Sequence, residues 1–148
     1  PRRKTLVQRI EARIARMKDD AYLTHEFMDL GGERQVLRAL RQLTQRGKLL
    51  RVGYGVYGEG RLSSIDQQSL LSRGFNVVTR KALDKLGIPW GQTNAQEAYN
   101  SGRTTQVPVN PAVKILSTRF KRRFRYANME LRLDRAKPTN LHRRSASL

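Results

Sequence analysis

The chain reads as an α+β protein with its helices grouped early and its alternating strands late. Three observations carry that reading. Residues 5–46 repeat apolar side chains at helical spacing, residues 49–57 hold two β-rich runs around a glycine turn, and beyond Gly102 apolar and polar residues alternate. A length of 148 residues fits one domain or two small lobes, and 38% hydrophobic residues allow a modest core. There is no cysteine, which removes disulfides, thiolate metal sites and cysteine nucleophiles together. His25 and His142 lie far apart, so no histidine metal site and no cofactor is expected.

Thr5 is read as the N-cap of a first helix, with Gln8 as its capping-box partner. Leu6, Val7, Ile10, Ile14 and Met17 form its apolar stripe, and Arg9, Arg13 and Arg16 form a separate basic one. The helix ends near Lys18-Asp19-Asp20, and Tyr22-Leu23 is a short extended stretch. Thr24 then caps a second, short helix containing Phe27 and Leu30, which Gly31-Gly32 breaks. A third helix starts at about Glu33, whose carboxylate suits the positive end of the helix dipole, and runs to Arg46 before Gly47. Val36, Leu37, Leu40 and Leu43 are its buried stripe. Leu49-Leu50-Arg51-Val52, the turn Gly53-Tyr54-Gly55 and Val56-Tyr57 make a hairpin. Helix, short helix, longer helix and hairpin is the order of a winged helix-turn-helix, assigned to residues 1–60.

Residues 61–136 are read as a small α+β lobe. A helix is expected from Asn76 as N-cap to Leu86, with Val78, Ala82 and Leu86 on one side, and a shorter one over 95–101. Strands are expected at 106–109 and 113–117. Over 120–126, Phe120, Phe124 and Tyr126 point one way and Lys121, Arg123 and Arg125 the other. Ala127-Asn128 then turns the chain into a strand in which Met129, Leu131 and Leu133 alternate with Glu130, Arg132 and Asp134. Together these predict a three-stranded antiparallel sheet, with Trp90 and the aromatic row in the core. Residues 137–148 are read as a basic flexible tail.

The charge narrows the function. There are 30 Lys+Arg against 12 Asp+Glu, a formal net charge of +18, divided as +7 over residues 1–74 and +11 over residues 75–148. Positive surface on both halves points to a polyanion, with nucleic acid ahead of an anionic membrane surface or an acidic protein. No run approaches the roughly 18 apolar residues of a membrane span, so no membrane partner is expected. The basic start is followed by Gln8, Arg9, Glu11 and Arg13, which leaves no apolar core for a signal peptide. Pro1 is compatible with loss of an initiator Met, and the expected location is the bacterial cytoplasm.

On the third helix Arg34, Arg38, Arg41 and Gln45 share the face opposite the apolar stripe, flanked by Gln35 and Gln42. No acid follows Glu33 on that face, whereas a solvated helix interleaves acids for salt bridges. Arg reads guanine O6/N7 and Gln reads adenine N6/N7. Arg34, Gln35 and Arg38, nearest the helix start, are the first base-reading candidates, with Arg41 beside them at the border of base and backbone. Gln42 and Gln45 are assigned to the DNA backbone, as are Thr24, His25, Arg51, Tyr54, Lys121, Arg123 and Arg125. Gly53, Gly55 and Gly58 have the spacing of a dinucleotide-binding loop. However, Val56-Tyr57 favours strand and Gly58-Glu59-Gly60 breaks any helix, so the hairpin reading is preferred. Asp19-Asp20 reads as a helix end, and nothing assembles a nucleophile, base and orienter, so no enzyme is expected.

Several stretches together carry a resemblance. They are Tyr22-Leu23-Thr24 through Phe27-Met28-Asp29-Leu30-Gly31, the helix over 34–46, Gly47-Lys48-Leu49-Leu50-Arg51 with Gly55-Val56-Tyr57, Thr104-Thr105-Gln106-Val107-Pro108, and Glu130-Leu131-Arg132. The chain thereby resembles the AbiEi-like antitoxin group and its plasmid-borne relatives of unknown function, over most of residues 5–135. The resemblance implies an N-terminal winged helix-turn-helix, a C-terminal α+β domain, and a DNA-binding regulator, often an autorepressor on inverted repeats, encoded on mobile elements. It implies recognition-helix and wing roles for Arg34, Gln35, Arg38, Arg41, Arg51 and Tyr54. Tyr54 stands where the group carries a basic wing residue, and the second half is unusually basic, which implies that it too binds DNA. The expectation is a sequence-specific double-stranded DNA-binding protein acting as transcription repressor or antitoxin-type regulator. The alternative is an accessory factor of conjugative plasmid transfer acting near the transfer origin. An RNA-binding or ribosome-associated protein is the rival from a different class. Double-stranded DNA is the expected partner, met by a homodimer or by several copies on repeated sites, and no protein partner is specified.

Overall fold

The first helix begins where the sequence places its cap. Thr5 Oγ1 accepts the Gln8 amide at 3.2 Å and the Gln8 side chain accepts the Thr5 amide at 2.9 Å, which opens α1 (Leu6–Met17). The computed structural model describes residues 3–62, 65, 69–106, 111–116 and 119–135. They form a mixed α+β chain with four α-helices among the described residues, divided into an N-terminal unit (Pro1–Ala82) and a C-terminal unit (Leu83–Leu148).

After β1 (Tyr22–Leu23) comes a single 3-10 turn, Thr24–Phe27, in place of the expected second α-helix. The few residues before Gly31-Gly32 leave no room for a nucleated helix. Instead Met28 and Leu30 donate back to the His25 and Phe27 carbonyls, bonds of the tighter i→i+3 kind. Nor does Thr24 cap this turn. Leu23 holds the N-cap position and donates its amide to Glu26 Oε1 at 2.9 Å. The third expected helix is α2 (Glu33–Gln45), which buries Val36, Ala39, Leu40 and Leu43. Leu37, expected in that stripe, is 42% exposed. At about 100° per residue Ala39 falls nearer the centre of the stripe than Leu37 does.

These faces meet in one cluster of Ile10, Tyr22, Phe27, Val36, Ala39, Leu40, Leu43, Leu49 and Tyr57, with Leu6, Val7 and Ile14 of α1 packed against it. Each large apolar side chain buried there contributes roughly 1.5–3 kcal/mol. The sheet beside it has β3 (Val56–Leu62) at its centre. β2 (Leu49–Gly53) pairs with one edge, and both β1 and β4 (Ser69–Leu71) pair with β3 as well, all antiparallel. The Gly60 amide donates to Lys48 O at 2.9 Å, while the Glu59 carbonyl, directed the opposite way, accepts the Ser72 amide at 2.8 Å. Two glycines of β3 are required by space. A Cβ on Gly58 would lie 2.8 Å from Leu71 Cδ2 and 3.0 Å from Val78 Cγ2, and one on Gly60 would overlap the Gly47 carbonyl oxygen. The expected domain boundary after residue 60 thus falls inside β3, and the first unit reaches Ala82 because β4 and the start of α3 (Phe75–Lys85) pack on that strand. Asn76 lies inside α3 rather than at its cap, since the Val78 amide already donates to Gly74 O.

In the C-terminal unit, α4 (Asn94–Asn100) starts on a second capping box, Thr93 with Gln96, and the Gln96 side chain also donates to Ala112 O at 2.9 Å. The three-stranded sheet is mixed, which corrects the expected antiparallel one. β5 (Trp90–Gly91) runs antiparallel to β6 (Ala112–Ile115), and β9 (Arg132–Arg135) runs parallel to β6. The chain between β6 and β9 is long enough for the crossover that a parallel pair needs, and it carries a separate hairpin of β7 (Arg125–Tyr126) and β8 (Met129–Glu130) turning at Ala127 and Asn128. The expected strand over 120–126 is reduced to β7. Phe120 and Phe124 are buried against one another at 6.0 Å, the Arg135 guanidinium donates to the Phe120 carbonyl, and the Leu131 amide donates to Phe124 O at 2.9 Å. The Leu131–Phe124 bond continues the β7–β8 register by one pair, while the Phe120 carbonyl is taken by a side chain from β9. Trp90 is half-buried rather than core, with its indole N–H donating to Asp84 Oδ1 at 2.7 Å. Residues 107–109, 117 and the tail 137–148 lie outside the described residues.

Gly60→Ala is expected to destabilise the chain by about 3 kcal/mol, because the added methyl meets backbone and not a movable side chain. Gly91→Ala, with nothing within 4 Å of the new Cβ, is expected to leave the melting temperature close to the parent's. Thermal melts of the two variants side by side check both.

Candidate nucleic-acid interface

Burial of Val36, Ala39, Leu40 and Leu43 turns the other side of α2 outward. Arg34, Gln35, Arg38, Arg41, Gln42 and Gln45 are all exposed there. The guanidiniums of Arg34, Arg38 and Arg41 form no hydrogen bond or ion pair with any described residue. The structure therefore brings together the six α2 candidates on one helix. Leu37 joins them: on the helical wheel it lies beside Arg34 and Arg41, with Gln35 and Gln42 on the other flank. Sequence reasoning assigned Leu37 to the core, and the same wheel arithmetic would have placed it at the border.

Four acids of this unit are engaged with other cations. Asp29 holds Arg13 by two bonds of 2.5 and 2.8 Å, and Arg13 also donates to Glu26 O at 2.8 Å. Glu11 pairs with Lys48 at 2.6 Å, Asp20 with Arg73 at 3.3 Å, and Asp19 with Lys81 at 4.0 Å. The basic stripe expected on α1 is thus broken, because Arg13 ties α1 to the turn before α2 and leaves Arg9 and Arg16 exposed.

The hairpin turn is well defined. Gly55 has φ 67° and Tyr54 is 76% exposed, with the Arg51 guanidinium 5.9 Å from the Tyr54 ring centre. Arg51 Nε also donates to Gly53 O at 3.2 Å. Thr24 faces this turn: its amide donates to Gly55 O at 3.1 Å and its hydroxyl to the same oxygen at 3.4 Å. Its hydroxyl is therefore occupied, whereas His25 next to it is exposed. The glycine spacing that imitates a dinucleotide loop is a hairpin turn followed by a close-packed strand.

Lys121, Arg123 and Arg125 belong to the C-terminal unit and are exposed, but they do not share one strand face. Lys121 and Arg123 instead line a cleft with Arg122, Arg132 and Arg135, which sequence reasoning passed over. The density of cations over 119–125 was a signal for Arg122; nothing in the alternation marked Arg132 or Arg135. Among the described residues no three His, Asp or Glu side chains group so as to hold a metal ion, and no helix is long and apolar enough to cross a membrane.

The hydrogen bonds from Arg13 hold the Asp29 carboxyl below its ordinary range. A lowered folded-state pKa gives a contribution that is complete above the ordinary value of about 3.9 and lost as pH falls through the lowered one. Asp29→Asn is therefore expected to melt below the parent at pH 7, with the gap closing as pH falls from about 4 toward 2. Melting temperatures across that range check the sign.

No protein-family model, no curated protein and no solved structure matches this chain.

Proposed function

We propose that the N-terminal unit is a winged helix-turn-helix that binds double-stranded DNA in a sequence-specific way, and that the chain works as a repressor- or antitoxin-type regulator. In this reading α2 enters the major groove and the β2–β3 turn lies along the neighbouring backbone. The observation that carries it is the outward face of α2, where Arg34, Arg38 and Arg41 lack a described partner while four acids of the same unit pair with other cations. The order helix, short strand, turn, helix, hairpin, with β1 added beside β3, supports the winged assignment. Arg34, Gln35 and Arg38 read base edges near the helix start. Arg41, Gln42, Gln45 and the wing residues Arg51 and Tyr54 meet backbone or flanking bases. Leu37 supplies the apolar contact that recognises a thymine methyl.

Selection of sites from a random duplex pool, followed by titration of variants, tests the reading. One enriched sequence is expected, with Arg34→Ala or Arg38→Ala each weakening binding to it by roughly 10- to 100-fold, the equivalent of a bidentate base contact. Equal affinity for all duplexes and for RNA, unchanged in both variants, would refute it. Leu37→Ala is expected to relax the preference at one A·T position by about 1 kcal/mol without changing the salt dependence, because no charge is removed. Competition between the selected site and a copy with deoxyuridine in place of thymidine reads this out. A parent protein indifferent to the lost methyl would remove Leu37 from the interface.

A further inference from the structure

We infer that the cleft of the C-terminal unit is a second nucleic-acid contact, one that takes phosphodiester backbone without reading bases. It stands on that unit alone and does not need the α2 reading. The cleft encloses about 370 Å³, and five of its eight lining residues are Lys or Arg against a single acid, Glu130. Two of the cations are partly committed. Arg132 pairs with Asp134 at 3.0 Å, and Arg135 donates to the Phe120 carbonyl, which ties β9 to the segment that bears the other three. Lys121, Arg122 and Arg123 are exposed and form no hydrogen bond or ion pair with any described residue, through side chain or main chain. Their backbone belongs to no strand, so its amides are also available to phosphate oxygens.

The lining decides between ligands. Sites for small organic ligands are walled mainly by apolar side chains with a few polar groups. Here Leu131 and Leu133 are the apolar lining residues, and Leu131 is buried. Single-strand binders stack bases on aromatic rings, but Phe120 and Phe124, the rings beside these cations, are buried. Cations without a stacking platform fit the backbone of a duplex, whose bases are already stacked.

The test uses the full chain and two charge-matched variants, Arg122→Ser/Arg123→Ser and Arg103→Ser/Lys114→Ser. Each is titrated with a random-sequence duplex between 50 and 200 mM salt. The first variant is expected to flatten the log–log salt slope by about 1.8, at 0.9 for each lost phosphate contact, and the second to leave it close to the parent's. Equal flattening in both, or none in the first, would overturn the proposal. So would one-to-one binding of inorganic pyrophosphate, measured by calorimetry and lost in the first variant, because the cleft would then serve a small phosphate ligand. Failure of the α2 reading shows separately, as the absence of any sequence preference for Arg34→Ala to abolish.

Discussion

β3 is bonded along both edges, and most of the N-terminal unit is arranged by that constraint. The peptide between Glu59 and Gly60 shows it in miniature, its N–H given to Lys48 and its C=O to Ser72. A strand so enclosed has little room for side chains: Gly60 admits the Gly47 backbone and Gly58 the side chains of Leu71 and Val78. The turn at Gly55 then sets the register with β2, whose start is joined to α2 through Gly47 and Lys48. The outward direction of the α2 cations thus follows from pairing on the far side of the core.

Charge is sorted on the same scaffold. Exposed ion pairs such as Lys48–Glu11 and Arg73–Asp20 add little stability. Their effect is on the field: they cancel Lys48 and Arg73, while Arg34, Arg38 and Arg41 keep their charge without a partner among the described residues. The positive potential of the N-terminal unit is thereby concentrated on one helix face, the kind of field that draws polyanions. Arg13 shows that a basic residue at regular helical spacing need not belong to that potential, because one aspartate sixteen residues away captures it.

What the sequence made legible was whatever depended on neighbours in the chain. The capping box at Thr5 and Gln8, the α2 cation face, the hairpin turn at Gly55 and the reversal at Ala127-Asn128 all follow from local spacing. The misreadings share another cause. Thr24 has the side chain of a cap, but the carbonyl that engages it is 31 residues away. The 120–126 segment alternates like a strand, yet a side chain from β9, Arg135, takes up the Phe120 carbonyl. The direction of β9 against β6 was equally out of reach, because alternation is the same in parallel and antiparallel strands. On the candidate site, the α2 face was legible in full except for Leu37, whereas the cleft needed the fold to bring β9 beside residues 121–123.

The grip of Thr24 on the wing has one more consequence. Its amide and its hydroxyl hold a single carbonyl, that of Gly55, so the hairpin tip cannot lift without releasing both. The Thr24 amide is consequently a reporter of wing opening: its protection from exchange with solvent deuterium measures the free energy of detaching the tip. Two hydrogen bonds thus join the hairpin tip to the segment that leads into α2.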